Sequence, residues 1–328
     1  MSLRLADTDS VFPVHWKSGS LKYTDFKLMA EGGTAKLFTC RDVNLHREVV
    51  YEARHREMRQ SEVETQRFLR EARVTAKLQH PGTVPVYEIG RDRNGDMFFT
   101  MKHVRGRNLR DILLGLRDGD ERLKQFFPLP VLVDSLIQVS QTVAYAHDRG
   151  VIHRDLKPAN ILVGGFGEVI VLDWGLAKIL ERPDLASVSE ATAPVQTDRS
   201  LKDTHRTLRG QVAGTPSYMP PEQALGAVDR IDSRSDVYSL GAILYEVLYG
   251  QAPYAGEDPE AILSQVLSVP PRELDDSGAQ PQASKGGVPW AHDQLLPPPA
   301  LVAICRRAMA RDPDERFQAV DTLARERA

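Results

Sequence analysis

Asp155, Lys157, Asn160 and Asp173 are the residues of this chain whose types and spacing could do chemistry. The first three fall within His153-Arg154-Asp155-Leu156-Lys157-Pro158-Ala159-Asn160, and Asp173-Trp174-Gly175 begins thirteen residues after Asn160, beyond a strand-like hydrophobic run from Glu168 to Leu172. A carboxylate can orient a hydroxyl and accept its proton, and a lysine two residues on can stand beside a moving phosphate. An amide oxygen and a second carboxylate are hard donors that suit magnesium. Together these residues predict phosphoryl transfer to a hydroxyl. An eight-residue match followed at this distance by Asp-aromatic-Gly is specific, and a plain polar surface loop has no need of it.

From about Phe26 to about Leu323 the chain resembles the eukaryotic-like protein kinase family, in its bacterial serine/threonine branch. The resemblance implies a bilobal α+β fold. A tail (1–22) would precede a small antiparallel N-lobe sheet with one helix (23–104), followed by a larger, mainly helical C-lobe (105–328). It places an activation segment at 173–222 and a loop insertion at 270–299. The implied reaction moves the γ-phosphate of ATP, with magnesium, onto serine or threonine of a protein substrate. Asp155 would position the hydroxyl, Lys157 would stabilise the transferring charge, and Asn160 with Asp173 would bind the metal. Lys157 with Thr215 is the pattern of serine/threonine-directed members.

The elements that must position these groups are visible in the hydrophobic pattern. Phe26 to Ala30, Leu37 to Cys40 and Glu48 to Ala53 read as three strands; Val84 to Gly90 and Met97 to Val104 read as two more around Asn94-Gly95, a strong hairpin signal. Phe68, Leu69, Ala72, Thr75 and Ala76 recur at helical spacing between Glu62 and Leu78, so Glu71 lies on a helix that His80-Pro81-Gly82 ends. Leu132, Leu136, Val139, Val143 and Ala146 predict a long helix that delivers the chain to the catalytic loop. Val237, Leu240, Leu244, Val247 and Leu248 predict a buried helix, and 300–310 and 319 onward supply the last two.

By resemblance, Glu222 in Met219-Pro220-Pro221-Glu222 pairs with Arg316 as a buried ion pair, with Pro220 standing where most relatives have alanine. Asp236 accepts hydrogen bonds from the backbone of the catalytic loop that His153 opens. Arg154 resembles the arginine that grips a phosphate on the activation segment, for which Thr204 and Thr207 are the candidate phosphosites. Trp174 replaces the usual phenylalanine and is expected beneath the Glu71 helix. Met101 would be the gatekeeper, Lys102 and Val104 would offer backbone groups to adenine, and Leu37 and Leu162 would complete the nucleotide contacts.

Four departures cluster in the N-terminal part. The family's phosphate-covering loop, Gly-x-Gly-x-x-Gly, is here Ala30-Glu31-Gly32-Gly33-Thr34-Ala35, leaving Gly32 and Gly33 to approach phosphates. Val50 replaces a small alanine over the adenine. Where relatives carry the lysine that bridges the phosphates and the helix glutamate, Glu71, this chain has Glu52. Replacing attraction by repulsion there swings each contact by up to about 8 kcal/mol at 4 Å and an effective dielectric near 20, before water and counterions reduce it. Arg54, two residues on and so on the same strand face, is the preferred compensating cation, ahead of Lys36, Arg70 and Arg73. The departures also motivate a second reading, a pseudokinase that acts as a binding or scaffold module.

Bulk properties agree. With 27% charged residues and a formal net charge of -3, no global basic surface argues for nucleic acid. Cys40 and Cys305 lie far apart with no Cys/His cluster, which argues against a disulfide scaffold or structural zinc. No stretch approaches the ~20 apolar residues of a membrane helix. The expected setting is cytoplasmic, alone or as the cytosolic module of a longer membrane-anchored protein, with a protein substrate or signalling partner. No feature sets an oligomeric state.

Overall fold

A computed structural model describes residues 17–33, 35–55, 57, 61–180, 216–256, 258–271 and 297–326. Thr204, Thr207 and Thr215, with the middle of the expected activation segment, lie outside these residues, as do positions 272–296 of the expected insertion. The chain divides into two compact units, residues 1–79 with 83–105 and residues 80–82 with 106–328.

In the first unit, β1 (Tyr23–Glu31), β2 (Ala35–Asp42), β3 (Arg47–Arg54), β4 (Val86–Arg91) and β5 (Met97–Lys102) form an antiparallel sheet of order β1-β2-β3-β5-β4. Alternation along the strands separates two apolar sets. Tyr23, Cys40, Val49, Tyr51 and Phe98 cluster on one face, with Tyr51 and Phe98 stacked at 4.5 Å between ring centroids. Met97 and Phe99 close on Phe68 and Ala72 of α1 (Glu62–Lys77) on the other. The start of α1 is fixed by Ser61, whose hydroxyl accepts from the Glu64 N–H, and by Glu62 and Glu64 in the positive first turn. β1 begins at Tyr23, three residues ahead of Phe26, because the buried Tyr23 ring belongs to the aromatic cluster. The Asn94-Gly95 turn sits in a longer connection than a two-residue hairpin: the Asp92 carboxylate accepts from the N–H groups of both Asn94 and Asp96 and closes it, and Gly95 takes a φ of 81°.

Besides residues 80–82, the second unit contains β6 (Gly106–Asn108), followed by α2 (Leu109–Arg117), α3 (Glu121–Phe126) and α4 (Leu129–Asp148). β7 (Val151–Ile152), β8 (Ile161–Gly164), β9 (Val169–Val171) and β10 (Lys178–Ile179) bracket the catalytic loop, with β6-β8-β9 one small sheet and β10-β7 another. Next come α5 (Pro221–Ala224), α6 (Ser233–Tyr249), α7 (Pro259–Ser268), α8 (Pro299–Ala308) and α9 (Val320–Arg325). Pro299, the last residue of the expected insertion, opens α8; proline suits a first helical turn, where its missing N–H has no partner to lose.

α6 is buried along most of its length, with apolar residues from Val237 to Leu248 on nearly every side. Gly241 lets α8 approach it: a Cβ there would lie 2.7 Å from the Cβ of Ala308 and 2.9 Å from Cγ of Met309. Gly241→Ala is therefore expected to melt lower than wild type. Overpacking costs about 1–3 kcal/mol, against a helix-propensity gain of at most ~1 kcal/mol. A thermal unfolding scan checks this, and a higher midpoint would refute the close approach. No helix among the described residues is long and apolar enough to cross a membrane.

Candidate active site

α4 ends at Asp148, and the chain turns through Gly150 into β7, so the loop that follows starts from a rigid rod. Asp236, in the first turn of α6 and fully buried, anchors it. One carboxylate oxygen accepts from His147 Nε2 at 2.7 Å and the His153 N–H at 2.9 Å; the other accepts from the Arg154 N–H at 2.9 Å. Burial pushes the Asp236 carboxyl up, but the His147 hydrogen bond, neighbouring histidine charge and the Arg154 N–H together outweigh it, and its pKa falls below the usual value. Arg154 holds a left-handed backbone, φ 71°, that a side chain with a Cβ normally avoids. Both of its peptide groups are clamped: Asp236 takes the N–H, and Gln223 Nε2 donates to the carbonyl at 2.9 Å.

Past that kink Asp155 meets Lys157, whose Nζ lies 2.6 Å from Asp155 Oδ2. Asn160 donates its amide N–H to the Asp155 carbonyl at 2.9 Å and to Oδ2 at 3.3 Å, leaving Asp155 Oδ1 for a further donor and Asn160 Oδ1 as an acceptor. Burial raises the Asp155 pKa; Lys157 opposes the shift, and the charge of nearby Asp173 adds to it. The Leu172 N–H donates to the Asn160 carbonyl at 2.8 Å, which brings the strand before Asp173 back to the loop. Asp173 also has a left-handed backbone, φ 60°, and accepts from the Gly175 N–H at 3.3 Å through one oxygen. His153 Nε2 donates to the Leu172 carbonyl at 3.0 Å, and its ring lies 4.5 Å from that of the buried Trp174. Four residues separated in sequence by up to eighteen positions are thus held by backbone bonds, not by their own contacts alone.

Glu222 and Arg316 meet as a bidentate pair at 2.8 and 2.9 Å, and Ser235 Oγ donates to the same glutamate at 2.8 Å. Several supporting groups carry little signal in the sequence. His147 and Gln223 are two; Tyr218, whose hydroxyl donates to Glu246, and Lys178, which donates to the carbonyls of Val228 and Ile231, are others. Only Gln223, directly after Glu222, carried a positional hint.

In the first unit, Glu52 pairs across the ladder with Leu37 and Phe99, and so lies on the sheet face where α1 packs, the face shared by Val50 and Met101. Glu71 is half-buried on α1 beside the buried Ala72. Lys36 lies opposite Ala53, on the other face, and bonds Glu31 at 2.9 Å near the surface. Arg54, the preferred compensating cation, is engaged by the start of α1. It is 7% exposed, and its guanidinium donates to Thr65 Oγ1 and to the Ser61 carbonyl, so it ties β3 to the start of α1. The reason is the helix itself: its first turn presents the hydroxyl and carbonyl within reach of the strand end. Lys102 and Val104 follow at the end of this unit, and Leu162 lies on β8 of the other, opposite Ile170.

A clamped loop carrying a carboxylate beside a lysine, with an amide oxygen and a second carboxylate held next to it, defines a phosphotransferase type of site. The chain belongs to the protein kinase family, since the model for the protein kinase domain matches residues 23–326. It is similar to the serine/threonine-protein kinase PknD of Chlamydia trachomatis serovar D, with 31% identity over 312 residues covering 92% of this chain and 31% of that protein. The serine/threonine-protein kinase PknD of Chlamydia caviae is 31% identical over 307 residues, covering 92% of this chain and 30% of the relative. The chain thus spans under a third of the length of these curated relatives.

The family uses ATP and, as a rule, a divalent metal. The acceptors left at Asn160 and Asp173 are hard oxygens, and a small cation of the magnesium type is held by one or two such groups with the remaining positions filled by phosphate and water. The residues present fit that ion.

Proposed function

We propose that the chain is a serine/threonine protein kinase module that transfers the γ-phosphate of ATP to protein hydroxyls with magnesium. The observation that carries the reading is the Asp155–Lys157–Asn160 arrangement on a doubly clamped loop. Asp155 Oδ1 accepts the hydrogen bond of the incoming hydroxyl and takes its proton; Lys157 sits beside the oxygens that gain charge. Asn160 and Asp173 would hold the metal, which would neutralise phosphate charge. Gly32 and Gly33 approach the phosphates, while Leu37, Val50, Met101, Lys102, Val104 and Leu162 contact the nucleotide. Glu222, Arg316, Asp236, His153 and Trp174 hold the loop.

A second reading, a nucleotide-dependent or nucleotide-free binding module without transfer, is favoured by Glu52 on the α1 face of β3. Two measurements separate the readings. A thermal shift with ATP that requires magnesium, and radiolabel incorporation lost in Asp155→Ala, support the kinase; no incorporation by either protein leaves the binding module.

Glu52→Lys removes a carboxylate and adds a cation on the face expected to meet phosphates, and the resulting affinity gain for ATP is expected to be at least tenfold, since 1.4 kcal/mol suffices for that factor. Calorimetric titration of both proteins reads it directly. Equal or weaker affinity would mean that Glu52 does not meet the nucleotide.

A further inference from the structure

Beyond Arg54, at the exit of β3, His55 turns toward the connection between β1 and β2. Its Nε2 lies 2.8 Å from the carbonyl oxygen of Gly32, and because that oxygen only accepts, Nε2 carries the proton. The ring is shielded, with only 11% of the side chain exposed. Among the described residues, a backbone bond and a surface ion pair also act on this turn. The Gly32 N–H donates to the Ala35 carbonyl at 2.9 Å, but a Cβ on Gly33 would meet nothing within 4 Å, so packing does not fix the next peptide. The flanking Glu31–Lys36 pair is 49% and 40% exposed and too solvated to hold a geometry.

A peptide unit is planar and trans, so the carbonyl of Gly32 and the N–H of Gly33 point in opposite directions. Whatever fixes one aims the other. Ala35 lies directly opposite Arg54 across the β2–β3 ladder, which brings the turn alongside the residue after Arg54.

We infer that His55 is a positioning residue for the phosphate-covering turn: its bond to the Gly32 carbonyl aims the Gly33 N–H at an anionic oxygen of a bound nucleotide. The proposal rests on the nucleotide reading given above. It assigns His55 a task that glycines at positions 30 and 35 would make harder and that alanines there make easier, because the alanines narrow the backbone freedom left to restrain.

The test uses the whole chain, with titrations of ADP and of adenosine and with hydrogen exchange of the ligand-free protein. For His55→Ala, ADP affinity should fall roughly fivefold to tenfold, the effect of one hydrogen bond, while adenosine affinity stays within about twofold because it carries no phosphate. His55→Gln, which keeps an N–H donor, should recover most of the loss. In the ligand-free protein, His55→Ala should speed exchange in a peptide spanning β1 to β2 and leave α6 unchanged. Equal losses for ADP and adenosine, no rescue by glutamine, or unaltered exchange in that peptide would each overturn the role. If wild type binds neither ligand, the phosphate task falls with the nucleotide reading, and the exchange comparison still decides whether the strap exists.

Discussion

Replacing Arg316 with methionine will lower the stability of the second unit by about 3–5 kcal/mol, the usual result of removing one member of a buried ion pair. The size follows from how completely the guanidinium is used. Its five N–H groups go to both Glu222 oxygens, to the Arg234, Ala310 and Arg311 carbonyls, and nowhere to water. The side chains of Arg316 and Glu222 are 0% and 3% exposed, so truncation leaves a carboxylate buried with Ser235 as its remaining donor, together with carbonyls that lose theirs. Denaturant titration followed by far-ultraviolet dichroism measures the loss. The double change Arg316→Met with Glu222→Leu should recover a large part of it, since two apolar residues leave no unpaired charge. A single variant within 1 kcal/mol of wild type, or a double variant no better than the single, would mean that the pair does not secure this unit.

The second large effect is expected at Asp155. Asp155→Asn keeps the shape and the contact with Asn160 but cannot take a proton, and phosphate transfer should fall by about 10²–10⁴-fold. Stability should move the other way. Burial raises the folded-state pKa of Asp155, so over the range between its unfolded and folded values the folded chain holds more proton, and rising pH favours the unfolded chain. The contribution of this carboxyl is therefore greatest at low pH and is lost as pH rises through the folded-state value. Asparagine removes that penalty, so the variant should melt higher than wild type near neutral pH, and the gap should close as pH falls below the carboxyl range. A melting comparison across pH decides this; a variant less stable at neutral pH would show that the Lys157 contact outweighs desolvation. With the proposed role of Asp155, the same raised pKa should place the acid limb of the transfer rate above that of an ordinary aspartate.

The catalytic loop was legible in the sequence because its working groups lie close along the chain, where local backbone geometry fixes their spacing. The α4 and α6 helices were legible because a buried helix repeats its apolar residues at 3.6-residue intervals. Two further helices carry legible signals. In α2, Leu109, Ile112, Leu113 and Leu116 follow the helical rhythm after the Asn108 cap; α7 starts after Asp258, which caps it ahead of Pro259. Strand ends were less visible, since Tyr23 joins β1 through an aromatic cluster whose other members come from β2, β3 and β5.

Arg54 shows where a strand pattern stops being informative. Alternation along β3 put it on the same face as Glu52, but the pattern holds no information about which acceptor on that face comes nearest. The folded chain brings Ser61 and Thr65 of α1 to it, across a gap of seven and eleven residues. His147 is similar: its partner Asp236 is eighty-nine residues away, and only the packing of α4 against α6 brings them together.

By itself the sequence determined the family of the chain, the side chains proposed to react, and the sign of the charge at position 52, because these depend on residue type and short-range spacing. Which partners restrain the loop, where Arg54 spends its hydrogen bonds, and how far the Asp155 carboxyl is desolvated were decided only by tertiary structure, because they depend on distances and burial between segments that the linear order leaves free.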